Sequence, residues 1–169
     1  MLKYTNTQVG FREVPDMIAL LINISGCKCH CPGCHSKYLW EDIGDPLNLQ
    51  SLDHLIKEND GINCVCFMGG EEFDSIEELA SFVHNKYDMQ VAWYTGHDLI
   101  DLPEETIKSV DFLKVGPYKD ECGPLDKRTT NQRMYRVNTT KGLKLENGVL
   151  KKQAPKLEDI THMFWKDNA

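Results

Sequence analysis

Four apolar runs, each broken by a glycine, constrain this 169-residue chain more than any other feature. They are DMIALLINIS before Gly26, INCVCFM before Gly69, MQVAWYT before Gly96 and VDFLKV before Gly116. Each has the length and branched apolar content of a buried strand, and each stops at a residue suited to a tight turn. Helical spacing lies between them. SLDHLIKEN places Leu52, Leu55 and Ile56 on one face, and DSIEELASFVHNKY does the same for Ile76, Leu79, Phe82, Val83 and Tyr87. Asp74 and Glu77 are spaced as a capping box, and a short helix is expected from Pro103. Alternating strand and helix favour a parallel sheet with right-handed crossovers. After Tyr118 the chain turns polar, which predicts a loop, a strand around RMYRVN and a hairpin about ENG. The final LEDITHMFW reads as a short amphipathic helix or a loosely packed segment.

Composition narrows the class. With 41% hydrophobic and 27% charged residues the chain is an ordinary globular protein, and residues 1–169 are expected to form a single domain. A net charge of −7 argues against a nucleic-acid partner, because phosphate binding needs clustered Lys and Arg. The longest apolar stretch, residues 17–24, is under half of the roughly 20 residues of a membrane span, and no basic segment with a cleavage site precedes it. No membrane association and a cytoplasmic location are the expectation.

Residues 25–40 read SGCKCHCPGCHSKYLW, with four cysteines and two histidines inside nine positions. Disulfides, zinc and an iron–sulfur cluster are the competing explanations. The chain has seven cysteines, an odd number, and pairing within the cluster would close only small strained loops, so a disulfide framework is disfavoured. Structural zinc sites usually draw ligands from two separated pairs. The only other close pair, Cys64 and Cys66, alternates on one face of a strand, as core residues do. Cys27, Cys31 and Cys34 stand in a C-x3-C-x2-C spacing, and three thiolates on one short loop can hold three irons of a cubane and leave the fourth open. A zinc module using Cys27, Cys29, Cys31 or Cys34 with His30 or His35 stays as the rival.

The same residues carry a resemblance. A C-x3-C-x2-C loop after a first strand, then a second strand ending in GGE, is similar to the radical S-adenosylmethionine (SAM) enzymes. The chain as a whole resembles the activating proteins of anaerobic ribonucleotide reductases, from about Glu13 (REVPD) through CPGCHS, MGGEE, WYTG and LKVGPY to PLDKRTTNQRMYRV. The resemblance implies an α/β fold, a partial, open (β/α) barrel with a short C-terminal loop or hairpin extension.

It also implies site roles. Cys27, Cys31 and Cys34 would ligate a [4Fe–4S] cluster and carry the catalysis, with the SAM amino and carboxylate groups on the fourth iron. Gly69, Gly70 and Glu71 match the motif that receives the SAM amino group, with Glu72 either a substitute or solvated. Tyr94, Thr95 and Gly96 are expected to offer backbone groups to the ribose or methionine part. Lys114 either neutralises a carboxylate or is a solvated rim lysine, and Gly33, counted with the cofactor-binding residues, stands where an aromatic often packs on adenine in the wider superfamily. Cys29 reads as a bystander, His30 and His35 as site lining, Trp40 as packing, Cys122 as an exposed thiol, and TTNQR as either a site mouth or a loop fastener. The implied activity is reductive SAM cleavage that leaves a glycyl radical on an anaerobic ribonucleoside-triphosphate reductase. The electron donor would be a flavodoxin or ferredoxin, and a radical SAM enzyme acting on a small molecule is the second alternative.

Overall fold

The computed structural model describes residues 1–139 and 143–166. Its strands are β1 (Lys3–Gly10), β2 (Ala19–Ile24), β3 (Asp45–Pro46), β4 (Cys64–Met68), β5 (Gln90–Tyr94), β6 (Phe112–Val115), β7 (Arg133–Asn138), β8 (Leu143–Glu146), β9 (Val149–Lys152) and β10 (Lys156–Asp159). The helices are α1 (Leu49–Lys57), α2 (Phe73–Tyr87) and α3 (Glu104–Ser109). One sheet runs in the order β10-β7-β6-β5-β4-β2-β1-β3, and β8 with β9 forms a separate hairpin. Among the described residues no helix is long and apolar enough to cross a membrane.

The four apolar runs of the sequence are the central strands β2, β4, β5 and β6, paired in parallel. An open, partial (β/α) barrel does not form. Among the described residues the sheet is mixed, with eight strands and only three short α-helices, because the helical crossovers lie between β2 and β6. The segments on either side carry no helix, and they return as antiparallel strands: β1 on β2, β7 on β6 and β10 on β7. The sheet therefore ends in the edges β3 and β10.

Burial on both faces explains why the central strands are continuously apolar. Leu20, Ile22, Val65, Phe67, Val91, Trp93 and Leu113 pack against Leu52, Leu55, Ile76, Leu79, Val83 and Ile107 of the helices. Ala19, Leu21, Cys64, Cys66, Ala92, Phe112 and Met134 cluster on the other face of the sheet, with Val14 and Ile160 from outside the strands rather than with an α-helix. Cys64 and Cys66 are thus core residues, and burial pushes both thiols upward, Cys64 to about 12.

Two local readings are corrected. The Asp74–Glu77 capping box is not made; α2 is capped by Glu72 without a side-chain bond, and Glu77 accepts from Thr106 Oγ1 at 2.5 Å instead. The capping box that does form is Asn48 with Ser51, at the start of α1. The C-terminal LEDITHMFW is not a helix over its length: β10 leads into a short 3-10 turn, Thr161–Phe164, since Ile160 must reach the helix-free face of the sheet.

Phe67 and Cys66 are adjacent, fully buried and on opposite faces, so they separate the two cores. Phe67→Ala is expected to cost about 3–5 kcal/mol through its cavity, whereas Cys66→Ala, which deletes one heavy atom, costs about 1 kcal/mol. Urea midpoints of the two variants check this; equal losses would show that the helix-covered face is not the main core.

Candidate metal centre

The cysteine loop leaves the end of β2 and is tied down on both sides. Ser25 N–H donates to Lys3 O at 2.9 Å, Gly26 N–H to Glu41 O at 3.1 Å and Cys27 N–H to Leu39 O at 2.9 Å, the last two within and beside the 3-10 turn Lys37–Trp40. Cys34 N–H closes a tight turn onto Cys31 O at 3.1 Å, with Gly33 at φ +77° in the left-handed region. The positive φ at Gly33 favours glycine, and the Asp120 carboxylate fills the space a Cβ would take, 2.2 Å from its oxygen. All seven cysteines are free thiols, which removes the disulfide explanation.

The loop presents its sulfurs in two sets. Cys27 and Cys29 have their sulfurs close together, and the interaction between the two thiols draws Cys27 well below its ordinary value and raises Cys29, with burial and Glu71 adding to the rise at Cys29. Cys31 is buried, and Cys34 accepts a backbone N–H from Ser36 at 3.4 Å, the kind of bond that tunes a metal-bound sulfur. His30 stacks on Trp40 with ring centroids 4.6 Å apart, so Trp40 fixes the loop as packing, and His35 lies 5.6 Å from the Tyr118 ring.

The GGE turn meets this loop directly. Gly69, at φ +99°, is held by Trp93 Nε1 donating to its carbonyl at 2.8 Å and by its own N–H donating to Tyr94 O at 2.8 Å. A Cβ there would come within 3.0 Å of Ile24 O. At Gly70 a Cβ would stand 3.2 Å from the Ile76 side chain and 3.4 Å from that of Ile24. Glu71 then reaches three partners: the backbone N–H of Lys28 at 3.2 Å, Cys29 Sγ at 3.5 Å and His97 Nε2 at 3.1 Å. Glu72 faces solvent and bonds Ser75 and the Met1 amine, so the two glutamates are not interchangeable.

The ends of β5 and β6 complete the rim. Tyr94 directs its hydroxyl to Glu13 O at 2.5 Å, and burial raises its pKa strongly, so its side chain is engaged within the fold. Thr95 is buried, with its hydroxyl accepting from His97 N–H at 3.2 Å. Gly96 lies so close to Cys29 that a Cβ would stand 2.7 Å from its sulfur. Lys114 is buried rather than a solvated rim lysine; it donates to Thr95 O at 3.4 Å and Gly116 O at 3.2 Å. Burial pulls its pKa down to about 8, opposed by the negative potential of Cys31, Cys29, Cys27 and Cys34, in that order. Lys114 is thus a buried amine within electrostatic reach of all four cysteines of the loop.

TTNQR fastens the neighbouring loop: Asn131 donates to Pro117 O at 2.9 Å and Gln132 to Gly116 O at 3.1 Å. Cys122 is half-buried, its carbonyl accepting from Thr129 at 2.6 Å. Sequence reasoning missed His97 and Asp120. His97 follows a strand-end glycine, a position on the same rim as Glu71, and that placement was a usable signal; Asp120 sits in a polar loop with none.

Cys27, Cys29 and Glu71 have ligand atoms within 4.8 Å of one another, close enough for one ion; among the described residues Cys31 and Cys34 do not join them. The donor set, free thiols on one loop with a buried counter-cation beneath, suits an anionic iron–sulfur centre. No curated protein and no solved structure matches this chain. A family model described as a 4Fe-4S single cluster domain matches residues 15–138, from the turn before β2 to the end of β7 and across the whole cysteine loop. The chain belongs to this family of 4Fe-4S single cluster domains.

Proposed function

We propose that this chain is a radical SAM activase for a glycyl-radical ribonucleotide reductase, with Cys27, Cys31 and Cys34 as the cluster ligands. The observation that supports it most is the contact of Glu71 with the cysteine loop: the acidic residue of GGE lies 3.2 Å from Lys28 N and 3.5 Å from Cys29 Sγ, so an acceptor suited to an ammonium group stands against the loop that would hold the cluster. When bound on Cys27, Cys31 and Cys34, the cluster would supply the one-electron reduction that radical SAM chemistry requires.

The protein's own residues have separate tasks in this reading. Glu71, oriented by His97, accepts hydrogen bonds from the SAM ammonium. Lys114 lies under the loop and offsets the negative charge of the thiolates, and it is the group nearest in chemistry to a SAM carboxylate. Gly33 leaves room for Asp120, so the 117–122 segment shapes one wall. Exposed His30 and His35 mark the side from which a macromolecular glycine approaches. The partner is an anaerobic ribonucleoside-triphosphate reductase, and a flavodoxin or ferredoxin supplies the electron.

Two results are expected. The anaerobically reconstituted chain with dithionite and SAM should release 5′-deoxyadenosine and methionine, and with the reductase it should give a glycyl-radical signal in electron paramagnetic resonance. Cys31→Ala abolishes both; no 5′-deoxyadenosine from a fully loaded wild-type chain would end the proposal. Glu71→Gln should weaken SAM binding by about tenfold or more, the scale of one hydrogen bond to a charged group, while Glu72→Gln changes it less than about twofold. Equilibrium dialysis with labelled SAM distinguishes the two glutamates.

A further inference from the structure

We propose that the cluster-free chain holds one thiophilic divalent cation, zinc, between Cys27, Cys29 and Glu71, and that this ion competes with the cluster for Cys27. The competition rests on the assignment of Cys27 as a cluster ligand; the ion site itself does not.

Geometry carries the argument. The two sulfurs and a Glu71 carboxylate oxygen lie within 4.8 Å of one another, and Cys29 Sγ stands 3.5 Å from Glu71 Oε1. A tetrahedral zinc with bonds of about 2.3 Å to sulfur and about 2.1 Å to oxygen has a sulfur–oxygen edge of about 3.6 Å. The observed separation already matches that edge. Two thiolates with one carboxylate suit zinc better than magnesium or calcium, which take oxygen ligands.

The surroundings are built to hold these three groups in place. Glu71 Oε2 is bonded to His97 Nε2 at 3.1 Å, an outer partner of the sort that orients metal-binding carboxylates. Cys29 is pinned at Gly96, where a Cβ would stand 2.7 Å from its sulfur. Two thiolates and a carboxylate around a divalent ion leave one negative charge, and the buried Lys114 cation acts on both thiols. The two thiol protons pass to solvent as the ion binds, and water fills the fourth position on the half-exposed side. His30 and His35 are not among the ligands, since their ring nitrogens lie outside the group that Cys27, Cys29 and Glu71 form.

This gives Cys29, which the C-x3-C-x2-C spacing skips, a task of its own. Zinc on Cys27 and Cys29 keeps Cys27 from iron and engages Glu71 as well. The loop then has two exclusive metal states, and thiol-bound zinc must leave before a cluster is assembled.

The test uses full-length chain freed of metal by chelation, titrated anaerobically with Co2+ as a coloured stand-in for zinc and back-titrated with Zn2+. Wild type and a Cys31→Ala/Cys34→Ala variant should each bind one Co2+ with a thiolate-to-cobalt absorption band, displaced by one equivalent of Zn2+. Cys29→Ala and Cys29→Ser should bind at least tenfold more weakly, the serine keeping a polar contact to Glu71. In reconstitution with iron and sulfide, Zn2+ should block cluster formation in wild type, and Cys29→Ser should need at least tenfold more zinc for the same block. Co2+ binding that depends on Cys31 and Cys34 but not on Cys29, or no tight binding at all, would overturn the site. A wild-type chain that assembles no cluster even without zinc would instead count against the proposed function, leaving the Co2+ titration to decide the ion site.

Discussion

Parallel register across the four central strands is the constraint from which the rest of the molecule follows. Asn23, Met68, Tyr94 and Lys114 are neighbours in one row across β2, β4, β5 and β6. Because the strands run the same way and finish level, their exits lie side by side on one rim. The cysteine loop, the GGE turn, Gly96 with His97, and Gly116 are therefore brought together by backbone pairing before any side chain contributes. The same register explains the close approaches at Gly69 and Gly96, where neighbouring segments leave no room for a Cβ.

Charge is the second organising element. Burying a lysine without a carboxylate partner is costly, and among the described residues Lys114 donates only to backbone carbonyls. Its position becomes reasonable beneath a cysteine loop whose metal-bound thiols turn anionic. In the metal-free chain the depressed pKa means that Lys114 opposes folding below about pH 8 and relaxes as pH rises toward its ordinary value. A negative centre above it reverses that balance, so metal binding and folding support each other. Glu71 is the hinge between these parts, since it touches the loop backbone, a cysteine and a histidine of the next strand exit.

The central strands were legible in the sequence because a strand buried on both faces must be apolar throughout, and nothing else in the chain has that character. Strand β1 was not, because KYTNTQVG lies near an edge, is mostly half-exposed and shows no continuous apolar run. The fold class was misjudged for the same reason: the flanking segments that make the sheet mixed carry weak local signals. The loop of four cysteines was legible as a metal site from spacing alone, and GGE as its neighbour through resemblance. The tie between Glu71 and His97, and that between Gly33 and Asp120, join residues 26 and 87 positions apart and exist only once the strands are paired.

The central claim is that three cysteines of one loop hold a single four-iron cluster with one iron left open. Mössbauer spectroscopy on anaerobically reconstituted protein enriched in 57Fe tests it directly. The account predicts one [4Fe–4S] centre per chain in wild type, with one iron site of the four changing its isomer shift when SAM is added, and none in Cys34→Ala. A wild-type spectrum of four equivalent irons that SAM leaves unchanged, or of a mononuclear iron–thiolate site, would contradict it.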